Sequence, residues 1–88
     1  MVKCVINGQH MTNRALAHQE IAQALALPVV YGSNLDALWD VVSTFDADMT
    51  LVNSGAMLNA LQAYGCKMLA TLYEAADNNP RFKFHVED

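Results

Sequence analysis

Apolar and polar residues along the chain alternate between two periods, and the changes of period mark the elements. Val2 to Ile6 is a short, mostly β-branched run followed by the turn pair Asn7-Gly8, which predicts an opening strand. Thr12 can then cap a helix in which Leu16, Ala17, Ile21, Ala24 and Leu25 recur at helical spacing. Pro28 is expected to end it, because the proline ring pushes Leu27 out of the helical region. After Gly32 and Ser33, Asn34 is a favourable N-cap. Leu35, Leu38, Trp39 and Val42 follow at i, i+3, i+4 and i+7, predicting a short, strongly amphipathic second helix.

Met49 to Val52 reads as a second strand of buried type, closed by Asn53-Ser54-Gly55. From Ala56 to Ala76 the helical spacing returns, with Gly65 in the middle as the expected break between two helices. Asp77-Asn78-Asn79-Pro80 is a turn cluster. Arg81 to Val86 alternates strictly, as a last strand with one wet face does. Strands separated by helical segments call for right-handed crossovers, so the expected fold is α/β: a small three-stranded parallel sheet packed with about four helices. At 88 residues the chain is long enough for one core and too short for two, so a single domain over 1–88 is expected.

Composition then narrows the classes. With 53% hydrophobic and 16% charged residues the chain is far from a disordered acidic tail. Nine Asp or Glu against five Lys or Arg give a net charge of -4, which repels phosphate backbones and argues against direct nucleic-acid binding. The distribution says more than the sum. Residues 15–66 contain no Lys or Arg, yet Glu20, Asp36, Asp40, Asp46 and Asp48 all lie there. Such a one-signed stretch reads as an acidic face, whose natural partner is basic.

Cys4 and Cys66 are too few and too far apart for a metal-binding pair or a disulfide framework, and are expected to be reduced thiols in or near the core. The uncharged stretch Met49 to Cys66 is too polar for a membrane span. A strand-like start in place of a basic and apolar leader makes the cytoplasm the expected compartment. His10, His18 and His85 do not stand at ligand spacing with Asp46 or Asp48, so neither a metal nor another cofactor is expected.

If Leu35, Leu38, Trp39 and Val42 face the core, then Asp36, Asp40 and Ser43 share the opposite face, since residues four apart are stacked neighbours. Asp36 in the first turn gains from the helix dipole and Asp40 does not; the like-charged pair costs about 0.2 to 0.5 kcal/mol. A general acid and base pair is the enzymatic alternative, but no nucleophile motif, Gly-rich phosphate loop or patterned histidine accompanies it, and no enzyme is expected. Met57, Met68, Tyr64 and Tyr73 read as packing residues, and Trp39 as half core, half interface.

The string Leu25-Ala26-Leu27-Pro28, followed by Tyr31-Gly32-Ser33-Asn34-Leu35-Asp36-Ala37-Leu38-Trp39-Asp40, is similar to the barstar family of ribonuclease inhibitors. Val5-Ile6-Asn7-Gly8 and Leu72-Tyr73-Glu74-Ala75 resemble it too, in register over most of the chain and more loosely from Asp46 to Cys66. The resemblance implies an intracellular, stoichiometric inhibitor that plugs the active site of a basic, barnase-like microbial ribonuclease. Helix two and the loop before it would make the contact. In that reading Asp40 stands where the RNA phosphate would sit, Asp36 flanks it, and Glu74 adds an acidic contact from the last long helix. Gly32 and Asn34 supply backbone and amide contacts beside Trp39, next to Tyr31. Two positions depart from the family pattern: Val30 replaces an aromatic that covers the enzyme's catalytic histidine, and Phe45 replaces a tryptophan. The alternative is a module of the same fold that recognises another basic protein without inhibiting a nuclease.

Overall fold

The computed structural model describes residues 1–27 and 31–88, so Val30 and Pro28 lie outside the described residues. The order is β1 (Val2–Asn7), a short 3-10 turn (Gly8–His10), α1 (Arg14–Ala24), α2 (Leu35–Val42), β2 (Ala47–Val52), α3 (Ser54–Leu61), α4 (Ala63–Asn78) and β3 (Phe82–Val86). The three strands form one parallel sheet in the order β1-β2-β3, with Cys4 opposite Met49 and Met49 opposite Phe84. The architecture is the α/β fold that the periodicity predicts.

Both crossovers step in the same direction across the sheet, and right-handedness therefore lays the helices on one face. The strand residues alternate to match. Ile6, Ala47, Met49, Leu51, Phe82 and Phe84 are buried beneath the helices, while Lys3, Val5, Lys83 and His85 are exposed on the other face. Met11, Ile21, Leu38, Val42, Met57, Met68 and Leu72 close the core from the helical side. Gly8 is required where β1 leaves the sheet: a Cβ there would lie 2.1 Å from the carbonyl oxygen of Asn53, a backbone atom that cannot step aside.

Several boundaries differ from the sequence expectation; helix α3, for one, begins at Ser54 rather than Ala56. Helix α1 is capped by Asn13, whose Oδ1 accepts from the Leu16 amide at 2.9 Å, and Thr12 is left outside. The same helix stops before Pro28 acts. The Ala26 amide bonds the Gln23 carbonyl and the Leu27 amide bonds the Ala22 carbonyl, with Ala26 left-handed at φ 57°. This is the Schellman closure, built here on an alanine rather than a glycine. Strand β2 begins at Ala47 rather than Met49, because its ladder to β1 and β3 starts there.

The break between the last two helices falls at Gln62 (φ 55°, ψ -123°), not at Gly65. Gly65 is instead buried in the first turn of α4. Its missing side chain lets the helices close: a Cβ would meet Leu61 at 3.2 Å and Leu58 at 3.4 Å. The glycine signalled close packing rather than a helix end.

Candidate functional site

Helix α2 is fixed from its first residue. The Asn34 Oδ1 accepts from the Ala37 amide at 2.8 Å, the N-cap bond expected of it, and its Nδ2 donates to the Gly32 carbonyl at 3.0 Å. One amide thus caps the helix and folds the preceding loop onto it. Asn34 is spent mainly on shaping the segment, a duty the sequence pattern does not separate from contact with a partner. Ser33 between them is left-handed at φ 51°, and its amide turns back to the Tyr31 carbonyl.

Leu38 and Val42 are fully buried, and Leu35 and Trp39 are half-buried against the core. The opposite face carries Asp36 and Asp40, both exposed, with Ser43 half-buried beside them. Of the five carboxylates in the acidic stretch, Glu20 pairs with His10 at 3.2 Å and Asp48 with His85 at 3.0 Å. Asp36, Asp40 and Asp46 form no ion pair among the described residues. The broad acidic stretch therefore narrows to the α2 face and to Asp46, the residue before β2.

The far end of α2 is tied down by Asn79. This buried side chain, 5% exposed, donates to the Val42 carbonyl at 3.2 Å and the Phe45 carbonyl at 2.9 Å, and accepts from the Arg81 amide at 3.0 Å. Asn79 joins the end of α2 to the turn between α4 and β3. In sequence it is indistinguishable from its neighbour Asn78, because the carbonyls it serves lie 34 and 37 residues away.

The near end of the segment is held through Tyr31. Its hydroxyl lies 2.9 Å from Nδ1 of His18, and Nε2 of the same ring lies 2.7 Å from the Tyr64 hydroxyl on α4. Both tyrosine rings meet the imidazole edge-on, and the Arg14 guanidinium sits 4.3 Å over the Tyr64 ring. His18 has no solvent exposure. Burial pushes its imidazole below the usual range and raises both phenols, with Tyr64 adding to the rise at Tyr31 and Arg14 opposing it at Tyr64. Sequence spacing shows none of this, since His18 and Tyr64 are 46 residues apart.

Gly32, Asn34, Asp36 and Asp40 are exposed along one continuous segment, with Tyr31, Trp39 and Phe45 half-buried beneath it. Glu74 is exposed on α4, the helix against which α2 packs. Val30 lies outside the described residues. Met57 and Met68 are core, whereas Tyr73 is 44% exposed and packs edge-on against Phe84. Cys4 is half-buried, its thiol raised by burial and by Asp48; Cys66 is exposed, not part of the core. A groove of about 630 Å³ lined by Lys3, Cys4, Val5, Asp48, Thr50 and His85 lies on the solvent face of the sheet, and none of the α2 or loop residues lines it.

Among the described residues no three His, Cys, Asp or Glu side chains gather as metal ligands, and no helix is long and apolar enough to cross a membrane. The arrangement is an exposed acidic helix face, held at both ends by buried side-chain hydrogen bonds.

The chain is similar over its whole length to known proteins. The protein named "Putative ribonuclease inhibitor YrdF" of Bacillus subtilis (strain 168) is 33% identical over 91 residues, covering 99% of this chain and all of that protein. The family model described as barstar (barnase inhibitor) matches residues 1–88. With its whole length matched, the chain belongs to the barstar family.

Proposed function

We propose that this protein is a stoichiometric inhibitor of a basic, barnase-like ribonuclease, acting in the cytoplasm as a binding protein rather than an enzyme. Helix α2 and the loop from Val30 enter the nuclease active site. The observation that carries this is the pair Asp36 and Asp40, like charges on one helix face with no cation opposite either of them among the described residues. A helix gains nothing in isolation from such a pair, so the counter-charge belongs to the partner. Family membership supports a nuclease as that partner.

In this reading the Asp40 carboxylate takes the place of an RNA phosphate and accepts hydrogen bonds from the enzyme's cationic groups. Asp36 reinforces the field beside it, and Glu74 adds a contact from α4. Gly32 and Asn34 present the loop backbone, and Tyr31, Trp39 and Phe45 supply the apolar floor. The same surface explains the acidic balance without any RNA binding by the protein itself.

The test is RNA cleavage by a panel of barnase-like ribonucleases with the wild type and with Asp40→Ala. The wild type is expected to inhibit at least one at one-to-one stoichiometry. Asp40→Ala is expected to weaken that inhibition on the order of 100-fold or more, because it strands cationic groups of the enzyme in a desolvated interface. Folding stability should change by no more than a few tenths of a kcal/mol, in the stabilising direction, as a like-charged neighbour is removed. Inhibition of none of the panel would leave a non-inhibitory binding module as the function, and full activity of Asp40→Ala would dismiss Asp40 as the phosphate mimic.

A further inference from the structure

His18 is the one histidine removed from solvent, and among the described residues its hydrogen bond to the docking segment is the one to Tyr31. In the neutral ring one nitrogen donates and the other accepts, so one tyrosine hydroxyl receives a proton and the other gives one. Both ring nitrogens, and the Tyr31 and Tyr64 hydroxyls, are then used, and no buried side-chain polar atom among the described residues lacks a partner. The bridge runs from α4 through α1 to the loop that opens α2.

We infer that His18, clasped between the Tyr31 and Tyr64 hydroxyls, is a positioning residue that latches the docking segment in its binding shape, and that protonation of His18 loosens the segment and weakens target capture. This rests on the docking role proposed for α2 and its loop.

Protonation turns both ring nitrogens into donors. The tyrosine that had been donating loses its acceptor, and its hydroxyl makes no other hydrogen bond among the described residues. The groups that face the ring are Tyr31 from the loop and Tyr64 from α4, both neutral phenols, with Arg14 of α1 on the Tyr64 ring. No carboxylate among the described residues pairs with the imidazole, and Arg14 adds a like charge nearby. Burial therefore favours the neutral ring in the folded state. Because the folded form takes up this proton at lower pH than the unfolded chain, the latch is intact above the ordinary value of 6.5 and weakens as pH falls below it.

The experiment has one arm without a nuclease and one with it. In the free protein, backbone amide shifts of Tyr31 to Asn34 are followed by NMR from pH 8 to 5, beside the His18 ring. In the wild type they are expected to move with the midpoint of the ring, below 6.5; in His18→Gln, which keeps one donor and one acceptor but does not titrate, they should stay flat there. Amides that ignore the ring titration in the wild type would overturn the latch.

Tyr64→Phe, which removes one hydroxyl and keeps the ring, is expected to speed amide exchange across 31–35 by about 2- to 10-fold. Unchanged exchange would also overturn the latch, whether or not His18→Gln folds. With a barnase-like ribonuclease that the wild type binds, affinity should fall between pH 8 and pH 5 at least 3-fold more for the wild type than for His18→Gln. Equal ratios would overturn the link to capture. Absence of any binding nuclease would refute the docking reading, while the free-protein arm still decides the latch.

Discussion

Asn79 holds three backbone groups with one buried amide: the last carbonyl of α2, a carbonyl of the loop that follows it and the amide just before β3. Replacing it with alanine leaves the Val42 and Phe45 carbonyls and the Arg81 amide without that partner, the first of them buried and the other two part-buried. Asn79→Ala is expected to lower stability by about 1 to 3 kcal/mol, read from chemical denaturation. Because the same amide anchors the end of α2, the variant should also bind the nuclease more weakly at temperatures where it remains folded. Asn78→Ala, one residue earlier and exposed, should do neither. At this scale the sequence is a good guide to residues whose partners are close in the chain and a poor one otherwise. Asn34 and the Asp36 and Asp40 pair declare themselves within a few positions of their partners. Asn79, His18 and Tyr64 act across dozens of residues, and nothing in their neighbourhood distinguishes them.

Elements were legible where the hydrophobic period was long or strict, and their ends less so. The three strands and the amphipathic α2 follow directly from spacing, while the stops of α1 and α3 rest on left-handed residues that no propensity favours: Ala26 and Gln62. Local chemistry pointed to Pro28 and Gly65 instead, because proline and glycine are the usual marks of a helix end. Ala26 carries a correctable strain. An alanine held left-handed costs about 1 to 2 kcal/mol relative to a right-handed one, and glycine there is free of that cost but gives up more freedom on folding. Ala26→Gly is expected to stabilise the protein by about 0.5 to 1 kcal/mol, measured as a rise in Tm, with the Schellman bonds to Ala22 and Gln23 retained. A fall in Tm would mean that Ala26 is held by packing rather than by the turn.

Part of the charge is divided between the two sides of the molecule. Lys3 and Lys83 flank Asp48 in register on the open face of the sheet, whereas Asp36 and Asp40 project from the helical layer. Such a separation steers a basic partner toward α2, and salt screens it over about 10 Å at 0.1 M. The association rate with a ribonuclease should fall steadily from low salt to 0.5 M while the dissociation rate changes far less; stopped-flow mixing measures both. A flat association rate would remove steering from the account.

The one-sided layering of helices on the sheet has a practical side. Two of the three lysines, Lys3 and Lys83, stand on the bare β face, and the third, Lys67, is exposed on α4. With Lys67 changed to arginine, coupling through a lysine to a sensor chip or a dye would take the protein by its back and leave the acidic helix facing the solution. Every molecule held through a lysine would then present the same side to the analyte.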